Sequence, residues 1–580
     1  MSRDDDFRVR PGRIRSSKAQ RAKPFVAQAL AAAQKAGGRV SRSGKITSCH
    51  GRGPSFARGR VASVRANRFI TSRSRLCTVK ALVVRNRGQR GPLARHLNYL
   101  RRDGVTRDGE KALMFGPDTD DADAREFSDR CKDDRHHFRF IVSPEDATDM
   151  EDLKRFTREL IAQAEKDLAT RLDWLAVDHW NTDNPHVHVI VRGRTDDGHD
   201  LVIDRDYIKN GLRDRAQDMI TLELGPRTDL DISRSLEHQI EAERWTQLDR
   251  QLVRDANEHG VIDVAPSPDR QPDEYLTQKV GRLRHLERLG LAGTIGPGQW
   301  IIAEEAEPTL RELATRNDII KRMHRALTER GIERGAADYV ISSEAHDEPI
   351  IGRLVERGLE DELRGTAYAV VDGIDGRTHH IGLPNIEAAG DSAPGSIVEL
   401  RSFEDSRDER RVALAVRSDL SIEAQTTAEG STWLDRQLIA RNPADLGSGF
   451  GLEVKRAMEE RTEHLIEEGL ARREGQRIVF ARNLLGTLRE RELDALGQKL
   501  ATETGMPFQK SAAGEYVSGT YRQRFALSSG RYAMIDDGLG FKLVPWTPSV
   551  EKNLGQHISG VARGDGGVDW SFGRKRGLGL

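Results

Sequence analysis

The segment Asp178–Gly193, DHWNTDNPHVHVIVRG, holds three histidines in a pattern that can grip a metal. His186 and His188 alternate with Val187 and Val189, so on a strand both imidazoles share one face and the valines take the other. His179 closes the preceding β-run, and an antiparallel hairpin sets it beside the other two. Three imidazoles from adjacent strands form a metal site with positions left for water or substrate. By ligand softness alone, such a set favours zinc, nickel or copper over magnesium. The second reactive residue is Tyr99 in ARHLNYLRRDG, beside Arg95, Arg101 and Arg102. A phenol titrates near about 10, so it attacks at neutral pH only with help from a base, a metal or nearby cations. Attack on a phosphodiester would give a phosphotyrosine and a free hydroxyl. That step conserves the bond energy for later resealing, and the arginines can hold phosphates. Taken by itself, Tyr99 better fits a ring packed on a sheet with its hydroxyl at the surface.

These residues need a frame, and the hydrophobic pattern supplies one. Thr78–Val84 is β-rich. Pro92–Arg102 reads as a helix with Leu93, Leu97 and Leu100 on one face. Residues 103–130 read as a polar loop and His136–Val142 as a strand. Asp149–Leu172 is the clearest helix, with Leu153, Phe156, Leu160, Ala164 and Leu168 at three- and four-residue steps. Strands Trp174–Trp180 and His186–Val191 follow. Asp206–Leu224 is a further helix, closed by Gly225-Pro226. The order predicts one α/β domain over 76–228, a sheet covered by helices.

The remainder contains an internal repeat. RLRHLERLGLAGTIGPGQWIIAEE from Arg282 and RTEHLIEEGLARREGQRIVFARN from Arg461 both run helix, Gly-Leu-Ala, turn, β-run. That order predicts winged-helix-like modules over 240–350 and 431–505. Each precedes a second matched pair, Tyr368-Ala369-Val370-Val371-Asp372 and Tyr532-Ala533-Met534-Ile535-Asp536, in Gly-rich β-leaning stretches. These predict α+β modules whose β-rich parts, 351–430 and 506–580, form small barrels.

The net charge of zero hides an asymmetry. The first hundred residues carry 24 Lys/Arg against three Asp/Glu, leaving 68 basic and 89 acidic side chains in the other 480. A basic end of that size is the footprint of a nucleic-acid partner. Residues 1–75, rich in Arg, Ser, Gly and Ala, read as a disordered basic arm with one short helix at Pro24–Ala36. Cys49, Cys77 and Cys131 lack pairing or CxxC spacing, which excludes a disulfide scaffold or zinc ribbon and fits a reducing cytoplasm. No apolar run reaches membrane-spanning length, and the N-terminus lacks an apolar signal core; the expectation is a cytoplasmic protein without membrane insertion. GRVSRSGKIT from Gly38 has one residue too many for a P-loop, with Ile46 where Ser/Thr belongs. His136-His137 and His379-His380 read as structural or exposed rather than as ligands.

His179-x-Asn181, with His186-x-His188 after Pro185, resembles the histidine motif of HUH endonucleases. More narrowly it resembles the relaxases of mobilisable and conjugative plasmids, the class that includes the relaxase piloting T-DNA into plant cells. HLNYLRRDG stands where that class keeps its nucleophile, upstream of the histidines, and DRDYIKNGLRDRAQDMITLELGPRT resembles its next helix. The resemblance is specific over about 78–228 and looser over 240–575. It implies an antiparallel-sheet nuclease in which Tyr99 attacks and His179, His186 and His188 hold Mg²⁺ or Mn²⁺ against the scissile phosphate. Asn181 stands where many relatives place an acid; Asp183 or Asp178 could instead orient a histidine or help activate the tyrosine. Ser143, in FIVSPED, falls near the place of a substrate-side serine. The implied activity is site- and strand-specific nicking and rejoining of single-stranded DNA at a plasmid transfer origin in the bacterial cytoplasm. The implied partners are accessory DNA-binding proteins and a secretion-system coupling protein. Two alternatives stay open. A rolling-circle replication initiator would use Tyr207, but its YxxK spacing needs lysine where Asn210 stands. A DNA-binding regulator with a degenerate nuclease fold would not need the intact histidines.

Overall fold

Strand β1 (Cys77–Arg85) and helix α1 (Gly91–Leu100) open the first α/β domain. Helix α2 (Ala124–Arg130), strand β2 (His136–Pro144), helix α3 (Leu153–Leu168), strands β3 (Trp174–His179) and β4 (His186–Arg192) and helix α4 (Leu212–Leu224) complete it. The computed structural model describes residues 38–40, 46–48, 73–86, 91–102, 105–180, 184–256, 259–265, 275–342, 349–404, 410–512, 514–564 and 567–571. Most of the expected basic arm, including Pro24–Ala36, lies outside them, as do Asn181 and Asp183.

The sheet order is β1-β2-β4-β3, antiparallel throughout. Its two faces are set by strand alternation. Phe138, Phe140, Val142, Val187, Val189 and Val191 face one way and pack on Phe156, Leu160 and Ala164 of α3 and Ala216 and Ile220 of α4. Leu175, Val177 and Ile190 face the other way, against Leu93, Leu97 and Leu100 of α1 and Phe127 of α2. Two local departures from the sequence reading have clear causes. Within the expected loop 103–130, Asp123 accepts from the backbone N–H groups of Arg125 and Glu126 and starts α2. Seven residues with one buried aromatic, Phe127, are too short to show periodicity. The helix expected from Asp206 begins instead with a π-turn, Tyr207–Gly211, because the Tyr207 ring lies against Gly211, where a Cβ would come within 2.5 Å.

Beyond this domain come helices α5 (Asp229–Ile240) and α6 (Gln247–Asp255), strand β5 (Val261–Asp263), helix α7 (Leu276–Arg288), strands β6 (Ala292–Gly296) and β7 (Gln299–Ile302) and helix α8 (Ala306–Thr328). Strands β5, β7 and β6 form a small sheet in that order. A larger sheet follows: β8 (Tyr339–Ser342), β9 (Ile351–Asp361), β10 (Thr366–Gly373), β11 (Thr378–Leu383), β12 (Ile397–Glu404) and β13 (Arg410–Ser418), ordered β8-β11-β10-β9-β12-β13.

The chain then repeats itself. Helices α9 (Ile422–Thr426), α10 (Trp433–Leu438) and α11 (Phe450–Glu467), hairpin β14 (Ala471–Glu474) and β15 (Arg477–Phe480), and helix α12 (Leu484–Thr504) match the first set. They lead into β16 (Tyr516–Leu527), β17 (Gly530–Asp536), β18 (Phe541–Pro545), the short helix α13 (Pro548–Glu551), β19 (His557–Ala562) and β20 (Val568–Ser571). The second large sheet runs β18-β17-β16-β19-β20, the order of the first without its β8 edge. Among the described residues the end strands of each sheet do not pair with one another, so both sheets are open and the expected barrel closure is not found.

Two buried arginines carry the duplication into side-chain detail. Arg282 donates from Nε and Nη2 to Asp249 at 2.8 and 2.9 Å and from Nη1 to the Ala242 carbonyl at 2.6 Å. Arg461 does the same to Asp435 at 2.8 and 2.9 Å and to the Ala428 carbonyl at 2.6 Å. Both guanidinium groups are fully buried. Asp249 and Asp435 are also the third residues of the capping boxes of α6 and α10, started by Thr246 and Thr432. The shared string Leu-Asp-Arg-Gln-Leu, at Leu248–Leu252 and Leu434–Leu438, marks this ion pair in the sequence.

Candidate active site and metal centre

The antiparallel β3–β4 pairing sets His179 directly opposite His186, with Val177 opposite His188. All three imidazoles therefore lie on the α1 face of the sheet. Ring centroids are 4.6 Å apart for His179 and His188, 4.9 Å for His186 and His188, and 5.5 Å for His179 and His186. Backbone carbonyls fix two of the rings. His179 Nε2 lies 2.9 Å from the Leu100 carbonyl, and His186 Nδ1 lies 3.0 Å from that of Asn184. A carbonyl only accepts, so each of those nitrogens bears the proton when the ring is neutral, and the inward nitrogens, His179 Nδ1 and His186 Nε2, present lone pairs. His179 Nδ1 is buried without a hydrogen-bond partner. Burial, with His188 adding to it, pushes His179 down to about 3. Burial likewise lowers His188 against the opposing pull of Glu362. Neutral, inward-facing imidazoles are the form a metal takes.

The fourth member of the cluster comes from far away in the chain. Glu362, at the tip of the β9–β10 hairpin, places Oε2 2.9 Å from His188 Nε2 and 3.2 Å from His186 Nε2, with Oε1 3.9 Å from His179 Nδ1. One ligand atom from each of the four residues lies within 4.8 Å of the others. Although burial pushes the Glu362 carboxyl up, the adjoining His186 and His188 imidazoles hold it well below the usual carboxylate range. The donor set therefore fits a divalent cation: three nitrogens, an ionised carboxylate, and an orphaned lone pair aimed between them.

Tyr99 sits on the last turn of α1, over the same face. Its hydroxyl accepts the Leu359 N–H at 2.8 Å, so the same hairpin touches both the histidines and the tyrosine. Burial raises the phenol above its ordinary value while Arg102 opposes that rise. The Arg102 guanidinium lies 4.6 Å from the Tyr99 ring centroid and pairs with Glu362 at 3.4 Å. A cleft of about 930 Å³ opens beside these groups, lined by Lys80, Tyr99, Arg102, Arg322, Arg325 and Glu362 among others.

The other residues singled out by sequence are placed differently. Arg95 pairs with Glu387 at the surface. Arg101 stands near Asp123, where the N–H groups of Arg125 and Glu126, with Arg101 adding to them, hold that carboxyl below its ordinary value. Asp178 lies on the sheet face opposite the histidines and accepts from Trp180 Nε1 at 2.7 Å, so it is turned away from the cluster. Ser143 Oγ donates to the Pro185 carbonyl at 3.3 Å and braces the turn into β4. Tyr207, the alternative nucleophile, is buried against the opposite face and donates to Asp167 Oδ2 at 3.0 Å. Burial and Asp167 push its phenol far up, away from nucleophilic use. Sequence reasoning missed Glu362, Leu359 and Arg139, whose Nη1 donates to the Leu363 carbonyl at 3.0 Å. No local pattern ties Glu362 to histidines more than 170 residues upstream.

Residues 119–223 match the family model for the relaxase MobA/VirD2-like, nuclease domain. That span contains β2 to β4 and all three histidines, with Tyr99 just upstream. The chain thus carries a relaxase nuclease domain, of the kind that nicks DNA in mobilisation. Residues 279–410 and 400–579 match the model described as protein of unknown function (DUF3363). These matches together cover more than half of the sequence, and the chain belongs to that family. No curated protein and no solved structure matches it. Among the described residues no helix is long and apolar enough to cross a membrane.

Proposed function

We propose that this chain is a tyrosine-dependent, metal-assisted relaxase that nicks and rejoins one DNA strand at a transfer origin. The observation that carries the reading is the set of three imidazoles with two tautomers fixed by carbonyls, on the sheet face over which α1 hangs Tyr99. His179, His186 and His188 would hold a divalent ion, Mg²⁺ or Mn²⁺, which when bound supplies Lewis-acid polarisation of a phosphoryl oxygen. Tyr99 contributes the attacking oxygen: the O–P bond to tyrosine forms, the bond to the 3′-oxygen breaks, and the phenolic proton leaves to solvent or a nearby base. Arg102 offsets the negative charge beside that oxygen. Lys80, Arg322 and Arg325, lining the cleft, meet the backbone of a single strand. The buried Tyr207 and its bond to Asp167 weigh against the replication-initiator alternative.

Incubation with Mg²⁺ and a single-stranded oligonucleotide from the cognate transfer origin should give a covalent adduct on a denaturing gel. Tyr99→Phe should abolish that adduct while DNA affinity stays within about threefold, because the ring and the cleft cations remain and only the hydroxyl, with its contact to the Leu359 N–H, is lost. An adduct that survives in Tyr99→Phe and vanishes in Tyr207→Phe would overturn the assignment.

A further inference from the structure

We propose that Glu362 is a fourth protein ligand of the metal, binding through Oε2, so that the DUF3363 half of the chain completes the nuclease centre. This rests on the three-histidine reading above and adds to it a donor from another module. Three independent features carry it.

The first is an excess of lone pairs. Because Leu100 and Asn184 take the outer protons of His179 and His186, both inward nitrogens are acceptors when neutral. His186 Nε2 nevertheless lies 3.1 Å from His188 Nε2 and 3.2 Å from a carboxylate oxygen. A single proton on His188 Nε2 satisfies one contact with Glu362 and leaves the others as acceptors facing acceptors. A divalent cation satisfies all of them at once. Donors bound at about 2.0–2.3 Å to one ion sit roughly 3–3.5 Å from their neighbours, and Oε2 lies 2.9 Å from His188 Nε2 and 3.2 Å from His186 Nε2.

The second is the way the tip is held. Leu363 and Arg364 donate their N–H groups to Asp361 Oδ1 at 3.0 Å each. Gly365 closes the turn at φ +79°, a left-handed conformation that favours glycine. The nuclease grips the tip on both sides of Glu362, through Tyr99 to Leu359 and Arg139 to Leu363. Arg102 meets Oε1, leaving Oε2 toward the histidines. The matching hairpin of the second copy lacks this tip: seven residues separate the paired Leu359 and Ala367, but only four separate Ala526 and Arg531.

The third is chemical hardness. Three imidazoles alone suit zinc, nickel or copper, whereas an added carboxylate oxygen moves the site toward manganese and magnesium. Glu362 thereby removes the conflict between ligand softness and the metal that the relaxase reading requires.

The test is Mn²⁺ binding to the full-length protein without DNA, by calorimetry and by the Mn²⁺ electron paramagnetic resonance spectrum. Glu362→Gln and Glu362→Ala are compared with wild type and with His186→Ala. Glu362→Gln keeps the volume, and metal-free thermal unfolding checks that each variant folds. The expected result is Mn²⁺ affinity at least tenfold weaker in both Glu362 variants, with an altered spectrum at saturation. Affinity that is unchanged or stronger in Glu362→Gln, together with tighter metal-free binding of a single-stranded oligonucleotide, would overturn the proposal. The carboxylate would then be occupying a phosphate's place. If wild type binds no Mn²⁺, or His186→Ala binds it as well as wild type, the three-histidine reading itself fails and this proposal with it.

Discussion

The two large sheets share an order, a bulge and a sequence register, yet their first hairpins end in different places. In each, an irregularity stands between Leu354 and Glu356 or between Tyr521 and Gln523, opposite the paired Val371-Val370 and Ile535-Met534. In each, a glycine, Gly352 or Gly519, leaves room for the carbonyl of Asp372 or Asp536, which a Cβ would strike at 2.2 or 2.4 Å. The second tip stays within its own module. Ser528 and Ser529 donate their N–H groups to Glu492 of α12 at 2.8 and 2.9 Å, and Ser529 Oγ accepts the Ser431 N–H at 3.1 Å. The first tip is longer, carries the acid itself, and enters the nuclease. The shared sheet sets where a tip emerges, while its length and charge decide what it meets.

Exchanging the tips tests the comparison most directly. Replacing residues 360–366 with the four residues 527–530 removes Glu362 and the Leu363 carbonyl that Arg139 holds. Mn²⁺ affinity should fall at least roughly tenfold, the lower end for losing a contact that tunes a metal site. A chimera binding Mn²⁺ as wild type does would break the comparison. The paired frameworks are tested through their arginines. Arg282→Leu and Arg461→Leu each strand a buried aspartate and should each cost about 3–5 kcal/mol in urea unfolding. Adding Asp249→Leu or Asp435→Leu, respectively, should recover much of that loss. A large cost in one module alone would show that the two frameworks are not equivalent.

Glu492→Ala strands the donors of the second tip and should cost about 1–3 kcal/mol with Mn²⁺ binding unchanged. Any change in metal affinity there would couple the second tip to the nuclease after all. The smallest effect, per pH unit, concerns His137, whose Nε2 accepts from Arg139, the residue that holds Leu363. Burial, with Arg139 adding to it, pushes His137 down to about 3. The folded value lies below the unfolded one, so the unfolded chain takes the proton first as pH falls. Stability should therefore drop from pH 6.5 toward 3, by up to about 1.4 kcal/mol per pH unit. Unfolding of His137→Asn across that range should show a shallower slope; an identical slope would remove His137 from the support of the tip.

The nuclease elements were legible because their signals are local. Alternation placed His186 and His188 on one face, and three- and four-residue spacing marked α3. Helix α2 was hidden because its evidence is one cap, Asp123, and one buried ring, Phe127. Helix–turn–strand similarity from Arg282 and Arg461 exposed the duplication, and those two arginines proved to be its buried anchors. Barrel closure was misjudged because β-rich composition says nothing of whether two end strands meet. Glu362 was out of reach for a different reason. Its role depends on two modules docking, and a glutamate in a turn has no local mark of its destination.

Glu362 lies 176 residues after His186, and that distance has a consequence for synthesis. Translation adds about 5–20 residues per second. The last nuclease helix, ending at Leu224, therefore precedes the hairpin tip by roughly 7–28 s. Through that interval a nascent chain exposes the histidine face without the tip that covers it, and any ion or strand arriving then meets a different surface from the one the finished protein presents. Completion of the centre is thus a late event in the life of each molecule, timed by the ribosome.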